Sequence, residues 1–347
     1  MTRPLLNRRL DGLGTSIFAE MSARAVATGA VNLGQGFPDV DGPRRIAEAA
    51  ADAVLTGRGN QYPPGRRHAG TVTYAAGMRL ALCQLPVSPD PAVNLDRVRE
   101  ALADAAGRGA DLAVFPEATQ ARFGSDLRAI AEPLDGAFGS GLAEAAQASG
   151  VALVAGVFEP APDGRVYNTA VAYDAAGARV TAYRKIHLFD ALGERESDVV
   201  APGASPVVVA LCGLRVGIMT CYDVRFPELA RALAVRGAEL IVIPAAWKAG
   251  LFKEEHWVTL VRARAIENTA WVAAACQVPD RSAPPTNAPT GVGRSMLADP
   301  MGTVRADLGP FPGLTVADLD TALIKQVRAV LPSLEHRRED VFGPAAG

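Results

Sequence analysis

From residue 78 onward, short apolar runs of strand length alternate with helical patterns, and two kinds of link join them. The runs at 79–85 and 112–115 are separated by a helix-period segment in which Leu95, Val98, Leu102 and Ala105 share a face. Asn94 is expected to cap that helix, and Gly107 or Gly109 to end it. By contrast, only Asp174-Ala175-Ala176-Gly177 separates 168–173 from 178–185, and 207–211 and 216–219 are joined by a short link that turns at Cys212-Gly213. Such tight links make antiparallel hairpins, whereas helical links are long enough to carry parallel crossovers. A chain using both must build mixed sheets covered by helices, which is the α/β class. A further helix is expected over about 139–148 and a strand over 151–158. Pro227 suits a first helical turn, with Leu229, Leu233 and Val235 beyond it, and strands are expected at 240–244, 271–276, 295–298 and 314–319.

Three polar residues stand where strands run out. Cys221 follows the apolar run 216–219 and precedes a helical pattern, so the backbone N–H groups of the turn face whatever binds in front of the sulfur. Glu117 follows an apolar run stopped by Pro116 and faces the crevice at the carboxyl end of a sheet, where ligands bind in open α/β folds. Lys185 closes the run 179–184. The chain holds four lysines (185, 248, 253 and 325) among 35 Lys and Arg, so arginine carries nearly all generic positive charge. A lysine at a strand end then suits a role for a compact point charge beside a thiolate or oxyanion. The bland alternatives are a buried structural thiol, an edge-strand lysine and a helix-capping glutamate.

The chemistry such a trio allows can be stated from the residues. An amide carbonyl is a poor electrophile, and an unperturbed Cys is mostly protonated at neutral pH, with a pKa of about 8.5. Glu117 can take the thiol proton, Lys185 can favour the anion, and the backbone N–H of Tyr222 can receive the developing oxyanion together with Lys185.

In order and spacing the chain resembles the nitrilase (carbon–nitrogen hydrolase) superfamily. The resemblance rests on Phe115-Pro116-Glu117, on Tyr183-Arg184-Lys185-Ile186-His187-Leu188-Phe189-Asp190, and on Cys221-Tyr222-Asp223-Val224-Arg225-Phe226-Pro227-Glu228-Leu229. His256-Trp257 leading into 262–268, the opening 78–84 and the closing 334–342 fit as well. It implies a four-layer αββα sandwich over 78–345 with a short N-terminal extension, assembled as a homodimer through the 226–236 and 256–268 segments. Trp257, Leu260 and Val261 serve either that contact or ordinary core packing. It also implies a catalytic set of Glu117 as base, Lys185 as oxyanion cation and Cys221 as nucleophile, with a second glutamate at Glu196 or at neighbouring Glu194. The stretch after Cys221 looks most like amidases acting on 2-oxo acid ω-amides and on deaminated glutathione. N-carbamoyl amide hydrolases are the rival within the family, and a non-catalytic binding protein that keeps the fold is the rival outside it. Arg225 is a candidate for binding a substrate carboxylate, with an ion pair to Glu228 or Asp223 as the alternative.

A formal net charge of −2 with no basic block argues against a nucleic-acid partner. No apolar run approaches the ~20 residues that span a bilayer, so no membrane partner is expected. Cys83, Cys212, Cys221 and Cys276 form no C-x-x-C pair and are read as reduced, placing the chain in the cytoplasm. The four histidines, 68, 187, 256 and 336, are too scattered for a metal site, and neither metal nor cofactor is expected.

Residues 1–65 differ in character. Asn32-Leu33-Gly34-Gln35-Gly36-Phe37-Pro38-Asp39 and Asn60-Gln61-Tyr62-Pro63-Pro64-Gly65 resemble the N-terminal arm of class I pyridoxal-phosphate aminotransferases. No lysine precedes Lys185, so this piece cannot form that cofactor's Schiff base. It is read as a truncated arm joined at 66–77 to a hydrolase domain that folds and works unaided.

Overall fold

The computed structural model describes residues 77–343, with Arg24, Ala27 and Thr28. Residues 1–65, read from the sequence as an aminotransferase-like arm, lie outside the described residues apart from those three positions, as does nearly all of the 66–77 junction.

Two sheets form the centre. In the first, β1 (Met78–Gln84) runs parallel to β2 (Leu112–Val114), and β2 parallel to β3 (Ala152–Pro160). The hairpin strands β4 (Val166–Tyr173) and β5 (Arg179–Arg184) extend one edge, β6 (Val200–Ala201) pairs with β4, and β13 (Gly313–Leu319) lies antiparallel on β1. The second sheet has six strands. Its parallel centre is β8 (Leu214–Ile218), β9 (Leu240–Ala245) and β10 (Trp271–Cys276). β7 (Val207–Leu211), β11 (Met296–Ala298) and β12 (Val304–Asp307) complete it.

The period-two alternation of β1 shows how the layers form. Leu80 and Leu82 join a core that contains Val216, Ile218, Ile241 and Ile243 of the other sheet. Ala81 and Cys83 point the opposite way, onto Val98 and Leu102 of helix α1 (Pro91–Gly107) and, beyond the short α2 (Leu127–Ile130), Phe138 and Leu142 of helix α3 (Ala137–Ser149). A strand buried on both faces needs apolar residues at every position, which is why these runs read as continuous rather than alternating. On the far side, a Cβ at Gly217 of β8 would meet Leu233 at 3.1 Å, so helix α4 (Pro227–Val235) packs closely there. Helix α5 (Lys253–Asn268) covers the same sheet with Trp257, Val261 and Ala265. The layers therefore run helix, sheet, sheet, helix.

Both expected hairpins form, and Cys212 and Gly213 take φ of 50° and 77°, the left-handed pair of a two-residue turn. The cap of α1 differs from expectation. Asp90 caps it, accepting from the Ala92 N–H at 2.9 Å. Asn94 lies inside the helix, where its side chain accepts from Ser88 N and donates to the Ser88 and Gln120 carbonyls. Trp257 and Val261 are fully buried, Trp257 against Trp247 at 5.2 Å between ring centroids, so these two serve the core of their own chain.

Candidate active site

Strand ends converge on a cavity of about 300 Å³ lined by Glu117, Lys185, Glu196, Cys221, Tyr222 and Trp247, among others. Glu117 follows β2, Lys185 follows β5, Cys221 follows β8, and Ala246 and Trp247 follow β9. Glu117 and Lys185 are 1% and 2% exposed. Lys185 Nζ donates to Glu117 Oε1 at 2.9 Å and to Glu196 Oε1 and Oε2 at 3.0 and 2.8 Å. Of the two glutamates left open by the sequence, Glu196 is therefore the one on Lys185. Glu194 turns to Lys248 instead, forming an ion pair at the cavity rim.

Each carboxylate is fixed by further donors. Asn168 Nδ2 donates to Glu117 Oε1 at 2.8 Å and Glu196 Oε1 at 3.1 Å, and the Ala246 N–H donates to Glu117 Oε2 at 2.8 Å. The Phe189 N–H holds Glu196 Oε2 at 2.7 Å. Burial opposes the Lys185 ammonium, yet the Glu117 and Glu196 charges outweigh it and hold its pKa well above the usual lysine value. Burial pushes the Cys221 thiol well up, Glu117 adds to that, and Lys185 works against it. The buried Cys276 is also pushed up, to about 12, so a raised pKa does not distinguish Cys221. Its place does, since it lines the cavity beside an ammonium and a carboxylate.

Cys221 adopts φ of 47°, in the left-handed region. A non-glycine residue held there costs about 1–3 kcal/mol and persists where its surroundings over-determine it. It opens a 3-10 turn (Cys221–Arg225), and Tyr222 follows in the first turn, where backbone N–H groups have no partner inside the turn.

Arg225 stands beside these groups rather than among them, next to the cavity-lining Trp247. It is not among the cavity-lining residues, and it pairs with neither Glu228 nor Asp223. Its guanidinium lies 4.9 Å from the Trp247 ring centroid and 3.3 Å from His256 Nδ1. Three residues at the site escaped the sequence reading. Asn168 could have been flagged as a polar residue in an apolar strand, a position where Asn is depleted. Lys248 and Lys253 line the cavity with Lys185, so three of the chain's four lysines lie there. That scarcity was the available signal.

Among the described residues no cluster could hold a metal ion, and no helix is long and apolar enough to cross a membrane. Residues 79–329 match the carbon–nitrogen hydrolase family model. A hydrolase of Mycobacterium tuberculosis is 44% identical over 271 residues, covering 76% of this chain and 97% of that protein. Human deaminated glutathione amidase is 36% identical over 278 residues, covering 76% and 83%. Among solved structures, an amidase from Nesterenkonia superposes with a TM-score of 0.67 at 32% identity, covering 79% of this chain and 98% of that one. It is a glutamate-to-glutamine mutant carrying the acetamide moiety of fluoroacetamide on its active-site cysteine. The chain belongs to the carbon–nitrogen hydrolase family, within the nitrilase superfamily, and is a hydrolase acting on amides.

Proposed function

We propose that this protein is a thiol amidase that cleaves a small carboxylated amide, a 2-oxo acid ω-amide or deaminated glutathione, through a cysteinyl thioester on Cys221. The observation that carries the reading is the shared cavity in which Lys185, bound by Glu117 and Glu196, faces Cys221. Because the resting thiol is held protonated, attack requires a base. Glu117 takes the Sγ proton as sulfur bonds to the carbonyl carbon. Negative charge on the carbonyl oxygen is received by the Lys185 ammonium and the Tyr222 N–H, donors of a kind worth about 3 kcal/mol each. The C–N bond then breaks and Glu117 delivers its proton to the departing nitrogen, leaving the thioester. Water attacks the thioester carbon while Glu117 accepts its proton. The C–S bond breaks, the acid is released, and that proton returns to sulfur. Glu196 keeps Lys185 charged and in place through both halves.

We further place the enzyme in the cytoplasm as a homodimer, with reduced cysteines. The aminotransferase-like arm at 1–65 takes no part in the chemistry, so a protein beginning at Met78 retains activity. All four cysteines in the structure are free, in keeping with a reducing compartment.

The test is release of 2-oxoglutarate from 2-oxoglutaramate and from deaminated glutathione, comparing intact protein with Cys221→Ala. Product formed by the intact protein alone supports the reading and ranks the two substrates. Equal turnover by Cys221→Ala ends it.

A further inference from the structure

Lys253 occupies a place that costs free energy. It is the first residue of α5, at the end of the helix where the backbone dipole is positive and a cation is of the wrong sign. Only 4% of it is exposed, and a buried ammonium normally has a carboxylate beside it. Of the three lysines lining the cavity, Lys185 has Glu117 and Glu196, and Lys248 has Glu194. Among the described residues no carboxylate lies within ion-pair distance of Lys253. Its Nζ instead sits 4.1 Å from the Trp247 ring centroid and 5.3 Å from that of Phe189. Aromatic faces offset part of the desolvation of a cation without neutralising it.

The surroundings sharpen this. Burial, then the neighbouring Arg225 charge, press the Lys253 ammonium toward lower pKa, and Lys248 acts the same way. The backbone cannot relax the arrangement, because the Lys253 carbonyl accepts from Trp247 Nε1 at 2.7 Å and fixes the helix start against the cavity wall. One end of the cavity thus carries a positive charge with no carboxylate at ion-pair distance among the described residues, at a helix N-terminus whose own first-turn Glu254 and Glu255 are exposed. That combination binds anions.

We propose that Lys253 is the specificity-determining residue of this enzyme: its ammonium receives the carboxylate at the end of the acyl chain distant from the scissile amide. The assignment rests on the amidase reading above and moves carboxylate recognition from Arg225, which Trp247 and His256 hold, to a lysine that lines the cavity. A carboxylate arriving there neutralises a charge the fold leaves open, whereas a methyl group in its place leaves that charge buried.

The experiment compares glutaramate with pentanamide, which differ by carboxylate against methyl, in the full-length protein and in Lys253→Met and Lys253→Arg. The expected result is a wild-type preference for glutaramate in kcat/KM that falls by about a hundredfold in Lys253→Met and largely returns in Lys253→Arg. An equal fall on both amides would overturn the proposal, because it would mark a structural role. Calorimetric binding of glutarate to Cys221→Ala separates this question from turnover. If wild type cleaves neither amide, the substrate reading fails, and the anion site is judged on binding alone. Glutarate binding lost in Cys221→Ala/Lys253→Met supports it. Binding unchanged in that double variant, or absent from Cys221→Ala, overturns it.

Discussion

Tyr183 donates its phenolic hydrogen to Asp223 Oδ2 at 2.6 Å, across the two sheets, joining the strand that delivers Lys185 to the turn that delivers Cys221. The other carboxylate oxygen accepts from the His187 N–H at 3.0 Å and from His187 Nδ1–H at 2.7 Å, while Oδ2 also holds the Thr220 N–H at 2.9 Å. One fully buried carboxylate thus binds residues two before and two after Lys185 and the residue before Cys221. The cation and the thiol belong to different sheets, and Asp223 fixes their separation.

Replacing Asp223 with Asn removes the charge and turns one acceptor into a donor facing other donors. We expect a loss of about 3–5 kcal/mol, the range for breaking a buried charged network, and a fall in kcat larger than any rise in KM. Tyr183→Phe removes the hydrogen bond to Asp223 and the longer one that the hydroxyl accepts from the Ile186 N–H at 3.3 Å, and should cost only about 1–3 kcal/mol. Urea unfolding with parallel kinetics checks both, and equal stability of Asp223→Asn and wild type would dismiss the linkage.

Glu117 has opposite effects on the cysteine's resting state and on its reaction. Its charge helps to push the Cys221 thiol up, after burial, so Glu117→Gln should lower the thiol pKa. The sign follows because removing a neighbouring negative charge favours the thiolate. Alkylation of Cys221 by iodoacetamide, followed against pH, should therefore reach its midpoint at lower pH in Glu117→Gln. Amide turnover in the same protein should drop about 10³-fold, because the proton acceptor is gone. A midpoint that stays put or rises would contradict the arrangement.

Glu194 and Glu196 are two residues apart and have separate partners, Lys248 and Lys185. Glu196→Gln leaves the Lys185 ammonium with Glu117 as its only carboxylate, and we expect kcat to fall at least about 10²-fold. Glu194→Gln frees only a partly exposed lysine at the rim, a pair of the kind worth up to ~1 kcal/mol, so KM should shift less than about tenfold with kcat little changed. Steady-state kinetics on both variants decides, and a reversed order would exchange their roles.

What the sequence displayed was local. Hairpins were legible because two to four turn residues separated apolar runs, and the strand ends were legible because Pro116, Lys185 and Cys221 interrupt apolar stretches. Choices between equivalent polar residues were not. Asp90 and Asn94 are both good caps, and only the placement of Ser88 and Gln120 turns Asn94 inward. Glu194 and Glu196 lie in a loop without the alternation that would assign each a face. Arg225 sits four residues after Cys221, but its direction depends on Trp247 and His256, which come from another part of the chain. Residues whose roles depend on several separated segments, such as Asn168 and Lys253, become visible only when those segments are brought together.

Gly156 of β3 tests how tightly the base is held. A Cβ there would lie 2.4 Å from Ala118 N and 2.8 Å from both the carbonyl carbon and the Cα of Glu117. These are backbone atoms, and the segment is already pinned by hydrogen bonds from Gly156 N to Pro116 O and from Gln120 N to Gly156 O. Gly156→Ala must therefore push the Glu117 backbone away from β3, at about 1–3 kcal/mol of overpacking. A displacement of about 1 Å at a reacting group costs about 10² in rate, so kcat should fall by that order even where the protein remains folded. Gly107→Ala is the matched control, because a Cβ at that position meets nothing within 4 Å. Thermal melts and kcat measured on both proteins read the result, and a Gly156→Ala enzyme as active as the control would mean that Glu117 tolerates movement.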